Sequence, residues 1–144
     1  MGNARTPARR LAVQALYQWQ LAGQDVGDIV AQFCEEQNPG EAQRDYFTEL
    51  LRGVLKSLDE IDDLLVPLLA RPLAQVDPVE RAILRVGAYE LAHRPEVPYR
   101  VVINEGVELA KRFGAEQGHR FINGVLDRLA QQLRAVEQKA SGPA

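Results

Sequence analysis

Apolar residues recur at helical spacing from one end of the chain to the other, and this periodicity constrains the fold more than any other feature. Between residues 46 and 58 the apolar positions alternate steps of one and three, which places them on one stripe of a helix: Tyr46, Phe47, Leu50, Leu51, Val54, Leu55 and Leu58. We find no alternating β-branched run and no Asn-Gly turn between such runs. The sequence therefore predicts an all-α fold.

Capping residues and helix breakers divide this pattern into seven predicted helices. Thr6 before Pro7 indicates the start of the first helix, and Asp77, Pro78 and Glu80 form the clearest helix start in the chain. The predicted segments are residues 7–22, a short helix from 26 that ends before 38–40, the stripe over 46–58, a helix that begins near 57 and is disturbed by Pro67, residues 78–93, a helix that ends at 114, and residues 118–136. Short connections between seven helices predict a helical bundle.

The chain has the length of one domain. A domain of 144 residues buries enough surface to need no disulfide or metal, and we expect residues 1–137 to form it and residues 138–144 to be a disordered tail. The single cysteine, Cys34, fits a reducing compartment and a place in the core. The chain has no secretory signal and no apolar run of the ~18 residues that a membrane span needs. We therefore expect a cytoplasmic protein without membrane contact.

The residues that carry catalytic chemistry are few and scattered. His93 and His119 are the only histidines, and no HxxH, HxxxH or CxxC spacing is present. Ser57 is explained as a helix cap and Ser141 lies in the expected tail, while Cys34 has no histidine near it in the sequence. Glycine-rich phosphate loops are also missing. We expect a protein that is not an enzyme and that has no metal and no cofactor.

Positive charge is concentrated at the amino terminus. The chain carries a net charge of −3, which argues against a general polyanion binder, yet residues 1–24 contain Arg5, Arg9 and Arg10 and no acidic residue. A basic end on an acidic body is typical of a confined anion contact. Taken alone, the three arginines fit a solvated, frayed terminus better. In the first helix Arg10, Gln14 and Gln18 also form a narrow polar strip that must face water or a ligand.

The start of the last predicted helix carries an unusual set of side chains. Most of its apolar residues fall within one arc, but Phe121 lies beyond the edge of that arc and shares its flank with Gln117, Gly124 and Arg128. A ring, an amide and a guanidinium in this arrangement can stack on and hydrogen-bond an unpaired base. The alternative is that Phe121 widens the core stripe against another helix, and geometry alone favours that alternative.

Four segments together resemble the NusB family of bacterial transcription antitermination factors. They are "AVQALYQWQL" at 12–21, "ERAILRVGAYEL" at 80–91, "VPYRVVINEGVELAKRFG" at 97–114 and "HRFINGVLDRL" at 119–129. The resemblance covers nearly the whole chain in the right order. It implies two small helical bundles, no enzymatic activity, binding to the single-stranded boxA element of ribosomal-RNA leader transcripts, and a heterodimer with the ribosomal protein NusE at the transcription elongation complex.

The resemblance also assigns roles to residues. It implies RNA contacts by a basic amino-terminal segment and by the start of the last helix: Arg5, Arg9, Arg10, Gln117, Gly118, His119, Arg120 and Phe121. For Phe121 this reverses the preference from geometry. It implies partner contacts around Tyr17 and at Glu80, whose carboxylate, expected to be exposed, could pair with a basic group of NusE while also supporting its helix start.

The basic segment departs from the family pattern, because Thr6 and Pro7 interrupt it. We therefore expect RNA binding by this chain alone to be weak and salt dependent, and NusE to add RNA contacts and to raise the affinity by coupling.

Two other interpretations stay open at this point. A helical adaptor that binds only proteins would share the same fold. An accessory domain of a ribosomal-RNA cytosine methyltransferase would too, although we expect its catalytic form not to apply, since the chain has no room for a nucleotide-binding sheet. We also expect that a second copy could cover the partner surface and form a homodimer when the partner is absent.

Overall fold

The computed structural model describes residues 3–114 and 117–141, and within these ranges it contains helices and no strand. The eight α-helices are α1 Arg5–Ala22, α2 Val26–Gln37, α3 Glu41–Lys56, α4 Leu58–Leu65, α5 Pro78–His93, α6 Tyr99–Phe113, α7 Gly118–Leu133 and α8 Ala135–Ser141. Two short 3₁₀ turns, Val66–Leu68 and Leu73–Gln75, connect α4 to α5. The all-α prediction is confirmed.

Helix α5 is the centre of the molecule. It packs against α1 and α3 on one side and against α4, α6 and α7 on the other, so the two groups of helices share it. All residues of α5 from Ala82 to Leu91 are buried. A helix with neighbours all round must be buried all round, which explains why its sequence shows a weaker apolar stripe than α6 or α7.

The helix starts agree with the sequence only in part. The Asp77 carboxylate accepts hydrogen bonds from the backbone N–H groups of Val79 (3.0 Å) and Glu80 (3.1 Å), as its position before Pro78 predicts. Thr6 does not cap α1, which begins at Arg5, and the Asn3 amide instead donates to the Thr6 hydroxyl at 2.8 Å. The Ser57 side chain makes no capping hydrogen bond to α4. These two caps were predicted from residue type and spacing, which do not determine side-chain geometry.

Helix α7 ends at Leu133 rather than at Val136, because Arg134 leaves the helical conformation. The Arg134 side chain is 7% exposed, and its guanidinium donates to the carbonyls of Leu91 (3.0 Å), Val97 (3.0 Å) and Arg94 (3.1 Å). The chain then resumes as α8. Residues 138–141, which we expected to belong to a disordered tail, continue this helix, and residues 142–144 lie outside the described residues.

Neither a membrane span nor a metal centre is found in the described part of the chain. None of its helices has the length and apolar character needed to cross a membrane. The same residues contain no group of three or more histidine, cysteine, aspartate or glutamate side chains that could hold a metal ion. Cys34 is half-buried and packs against the core.

Candidate nucleic-acid interface

Arg9 is a buried structural residue, and its assignment to RNA is wrong. Its side chain is 3% exposed, and its guanidinium donates to both carboxylate oxygens of Glu90 in α5 (Nε to Oε1, 2.9 Å; Nη2 to Oε2, 2.9 Å) and to Oε1 of Glu105 in α6 (2.9 Å). Tyr46 of α3 donates its hydroxyl to the same Glu90 carboxylate. All three guanidinium nitrogens are therefore committed to carboxylates in the interior, where a phosphate cannot reach them.

Ionisation in this buried network follows from its contacts. Burial alone lowers the pKa of Arg9, but the hydrogen bond to Glu90 and the charge of Glu90 outweigh burial, and the pKa of Arg9 is raised. Burial raises the pKa of Tyr46 well above its usual range, and the negative charge of Glu90 raises it further. The network thus holds a charged arginine and a neutral tyrosine at the junction of α1, α3, α5 and α6.

Arg5 lies on a different face of α1 from Arg10. Its side chain is 40% exposed, its guanidinium carbon lies 4.5 Å from the centre of the Tyr46 ring, and Nη2 is 3.6 Å from Oε2 of Glu96. It lines a cavity against α3 together with Tyr46 and Arg94. An ion pair this exposed binds weakly, so the Arg5 guanidinium is available to an anionic ligand.

Arg10 faces α6 across a cavity of about 450 Å³ that we call the basic cavity. Its lining consists of Thr6 and Arg10 from α1 and of Glu105, Glu108, Leu109, Lys111 and Arg112 from α6. Glu105 is held by Arg9, and Glu108 lies 3.6 Å from the Lys111 ammonium. Lys111 and Arg112 are exposed and were not predicted as site residues. The sequence signal was a basic pair in the last turn of a helix, which is also explained by the helix dipole.

The first turn of α7 presents polar groups to solvent. Gln117 and Arg120 are exposed, and His119 is half-buried. Gly118 is buried against α5: a Cβ atom added to it would lie 2.5 Å from Oε2 of Glu80. Helix α7 has no side-chain cap of its own at Gln117. A side chain at position 118 would therefore require the Glu80 carboxylate to move.

Phe121 combines both interpretations of its sequence position. The ring packs against the hydrophobic core but remains partly exposed. Arg128 was expected to lie on the same flank of α7 and to contact a base. Its guanidinium instead donates a hydrogen bond to the carbonyl of Leu68 at 2.9 Å. Gly124 has open space around the position where a Cβ would lie.

Glu80 is half-buried rather than exposed, which corrects one expectation. Its carboxylate lies against Gly118 and near Asp77, which provides the cap of α5. Burial raises the pKa of Glu80, the charge of Asp77 raises it further, and the charge of Arg71 opposes both. The site therefore contains two neighbouring carboxylates at the start of α7.

Tyr17 lines the largest cavity described, an open groove of about 620 Å³ that we call the apolar groove. Helix α1 forms one wall, and single residues of three other helices complete it: Phe33 of α2, Val79 of α5 and Phe113 of α6. Tyr17 is 37% and Leu21 58% exposed, which is unusual for large apolar side chains. Of the two residues predicted to bind a partner, Tyr17 lines this groove, and Glu80 directly follows the lining residue Val79 in α5 but is not itself part of the lining.

The basic cavity and the apolar groove are neighbours. Arg10 and Gln14 stand one turn apart on α1, and Arg112 and Phe113 are consecutive in α6, with one member of each pair lining each cavity. The polar strip predicted on α1 therefore runs from one cavity to the other. The predicted RNA residues do not form a single cluster: Arg5 faces α3, Arg9 is buried, and the lining of the basic cavity includes no residue from the described part of α7.

These features define a class of protein, a small all-helical binding protein with a cationic cavity beside an apolar groove. Residues 6–131 match the NusB family. The chain belongs to the NusB family.

Relatives agree over nearly the full length. The transcription antitermination protein NusB of Nitrosococcus oceani is 58% identical over 95% of this chain and 92% of its own length. The corresponding protein of Alcanivorax borkumensis is 54% identical over 98% of this chain and 94% of its own. Among solved structures, a crystal structure of the antitermination factors NusB and NusE in complex with double-stranded RNA is 28% identical, with a TM-score of 0.85 over 92% of this chain and 99% of that chain. T. maritima NusB is 30% identical, with a TM-score of 0.83 over 96% of this chain and 99% of its own.

Proposed function

We propose that this protein acts in transcription antitermination by binding the boxA element of ribosomal-RNA leader transcripts together with the ribosomal protein NusE, as part of the elongation complex. Family membership over residues 6–131 supports the role in transcription. A similar protein has been solved with NusE and RNA, which supports the two partners. The relatives are named for antitermination rather than for a reaction, which favours binding over catalysis. Such a role belongs in the cytoplasm, where nascent transcripts are made.

The observation that carries this proposal is the basic cavity. Arg10, Lys111 and Arg112 bring three cationic side chains from two helices to one opening on an otherwise acidic protein. Phosphates supply most of the affinity in RNA binding, and an exposed guanidinium or ammonium is what they require. We assign backbone contacts to these three residues and to Arg5.

The start of α7 supplies the contacts to bases in this proposal. The partly exposed ring of Phe121 would stack on an unpaired base, which contributes ~1–3 kcal/mol per base. Gln117 and Arg120 would hydrogen-bond the base edges or the sugar, and His119 would contribute at the margin. Gly118 takes part through its close approach to α5 rather than through a side chain.

The apolar groove is the proposed NusE surface. Tyr17 and Leu21 give it an exposed apolar floor, and Glu80 gives its edge a carboxylate that a basic group of the ribosomal protein could pair with. We further propose that a second copy of the chain covers this groove when NusE is absent. Sedimentation of the chain alone and with NusE tests this proposal. The chain alone should sediment as a homodimer, and NusE should dissociate it into a heterodimer of the chain with NusE.

The test of the function is a binding comparison. Fluorescence anisotropy of labelled boxA RNA and of a scrambled RNA of equal length is measured with the chain alone and with NusE. We expect a clear preference for boxA in the presence of NusE, and a log–log salt slope near −3 for the four assigned phosphate contacts, at ~0.7 per contact. Equal, weak binding of the two RNAs in the presence of NusE would support an adaptor that binds only proteins.

A further inference from the structure

The contact between Glu80 and Gly118 joins the two proposed binding surfaces. Glu80 follows Val79, which lines the apolar groove, and its Oε2 lies 2.5 Å from the position that a Gly118 Cβ would occupy. Gly118 is the first residue of α7 and stands between the exposed side chains of Gln117 and Arg120. One carboxylate thus lies against the first turn of α7 and directly follows, in α5, a residue that lines the apolar groove.

The surroundings of Glu80 leave much of its negative charge uncompensated. Asp77, three residues earlier, adds a second carboxylate, which is committed to capping α5. The charge of Arg71 favours the ionised form of Glu80, and Arg71 is exposed to solvent. The charge of Glu80 disfavours a second anion beside it, and burial strengthens that effect because the local dielectric is lower than that of water.

We propose that Glu80 is an electrostatic gate on RNA binding: its carboxylate repels RNA phosphates from the start of α7 until a cationic group of the partner protein pairs with it. The proposal rests on the proposed function. It gives a physical reason for NusE to raise RNA affinity beyond any contacts that NusE itself makes with the RNA, since pairing with Glu80 removes the repulsion. The coupling is reciprocal, so bound RNA should raise the affinity for NusE by the same factor.

The test is Glu80→Gln, which keeps the shape of the side chain and removes its charge. The cap of α5 is unaffected, because Asp77 provides it. Glu35→Gln is the matched control: it changes net charge equally, and Glu35 is an exposed residue of α2, which packs against α1 and α3. The affinity for labelled boxA RNA is measured for each variant alone and with saturating NusE, and circular dichroism melts verify folding.

Glu80→Gln alone should bind boxA roughly threefold to tenfold more tightly than the unmodified chain, as expected for one charge removed about 6 Å from a phosphate at an effective dielectric of about 40 to 80. Its gain on addition of NusE should shrink by the same factor, and both effects should fade at high salt. Glu35→Gln should change neither the boxA affinity of the chain alone nor the gain in affinity on addition of NusE.

Unchanged or weaker RNA binding by Glu80→Gln alone, or an undiminished gain from NusE, would overturn the gate while leaving the proposed function intact. Failure of the unmodified chain to prefer boxA in the presence of NusE would instead reject the proposed function.

Discussion

At the scale of single residues, adjacent arginines in the sequence have opposite roles. Arg9 is enclosed by Glu90 and Glu105, whereas Arg10 faces the basic cavity. The family resemblance implied phosphate contacts for both, because a match in sequence does not reveal which arginine has acidic partners on distant helices. Glu90 is 81 positions away from Arg9 in the chain.

Substituting each of these arginines by glutamine separates the two roles. Arg9→Gln leaves the buried carboxylate of Glu90 and the partly buried carboxylate of Glu105 without their cation, and should lower the free energy of unfolding by roughly 3–5 kcal/mol in urea titrations. Arg10→Gln should leave stability within about 0.5 kcal/mol and lower the magnitude of the RNA salt slope by about 0.7. A stable Arg9→Gln protein that has lost RNA binding would show that the buried network is not structural.

Two glycines of α7 provide a second test at this scale. Gly118→Ala places a Cβ against the Glu80 carboxylate, which must move aside, and should destabilise the protein by up to about 1 kcal/mol. Gly124→Ala, in open space on the same helix, should stabilise it by up to about 1 kcal/mol. Combining Gly118→Ala with Glu80→Ala should recover part of the loss in a double-mutant cycle. Purely additive effects would contradict the close approach of Glu80.

At the scale of helices, capping residues and helix breakers predicted most of the helix boundaries. The main errors in predicted boundaries were caused by contacts between residues far apart in the sequence. Asp77 and Pro78 mark the start of α5 because a cap acts within one turn. The end of α7 could not be predicted, since Arg134 leaves the helix to donate to carbonyls of residues about 40 positions earlier in the chain. The start of α8 and the helical state of residues 138–141 follow from that same interruption.

Removing this guanidinium should therefore weaken the junction of α5, α6 and α7. Arg134→Met keeps most of the apolar stem and leaves carbonyls at the end of α5 without a donor, which should cost at least about 2 kcal/mol in urea titrations. Arg128→Met is the control, because Arg128 is exposed and should change stability by under about 1 kcal/mol. Equal effects of the two substitutions would show that the Arg134 contacts contribute little.

At the scale of the whole molecule, the sequence predicted candidate binding residues but not how the fold distributes them. Periodicity and the family resemblance led to the polar strip of α1, the start of α7 and the region around Tyr17. Arg10, Lys111 and Arg112 line one cavity because of the way in which α1 and α6 pack. Periodicity within one helix contains no information about which helix will lie beside it.

A single substitution tests whether NusE binds in the apolar groove. Leu21→Glu puts a charge into the groove and should weaken NusE binding at least tenfold in calorimetric titrations, with little change in stability because Leu21 is 58% exposed. Val136→Glu is the matched control, since Val136 is 83% exposed on α8, outside the lining of the groove. Equal NusE affinities for the two variants would place the partner elsewhere.

The most direct measurement of the central claim is an NMR titration of the isotope-labelled 16.0 kDa chain with boxA RNA. If the basic cavity and the start of α7 both contact the RNA, amide signals should shift at the start of α1, in the last turn of α6 and in the first turn of α7. Signals of α4 and the outer face of α3 should stay in place. Shifts confined to α3 or α4, with residues 109–113 and 117–121 unaffected, would contradict the claim that RNA binds at the basic cavity and the start of α7.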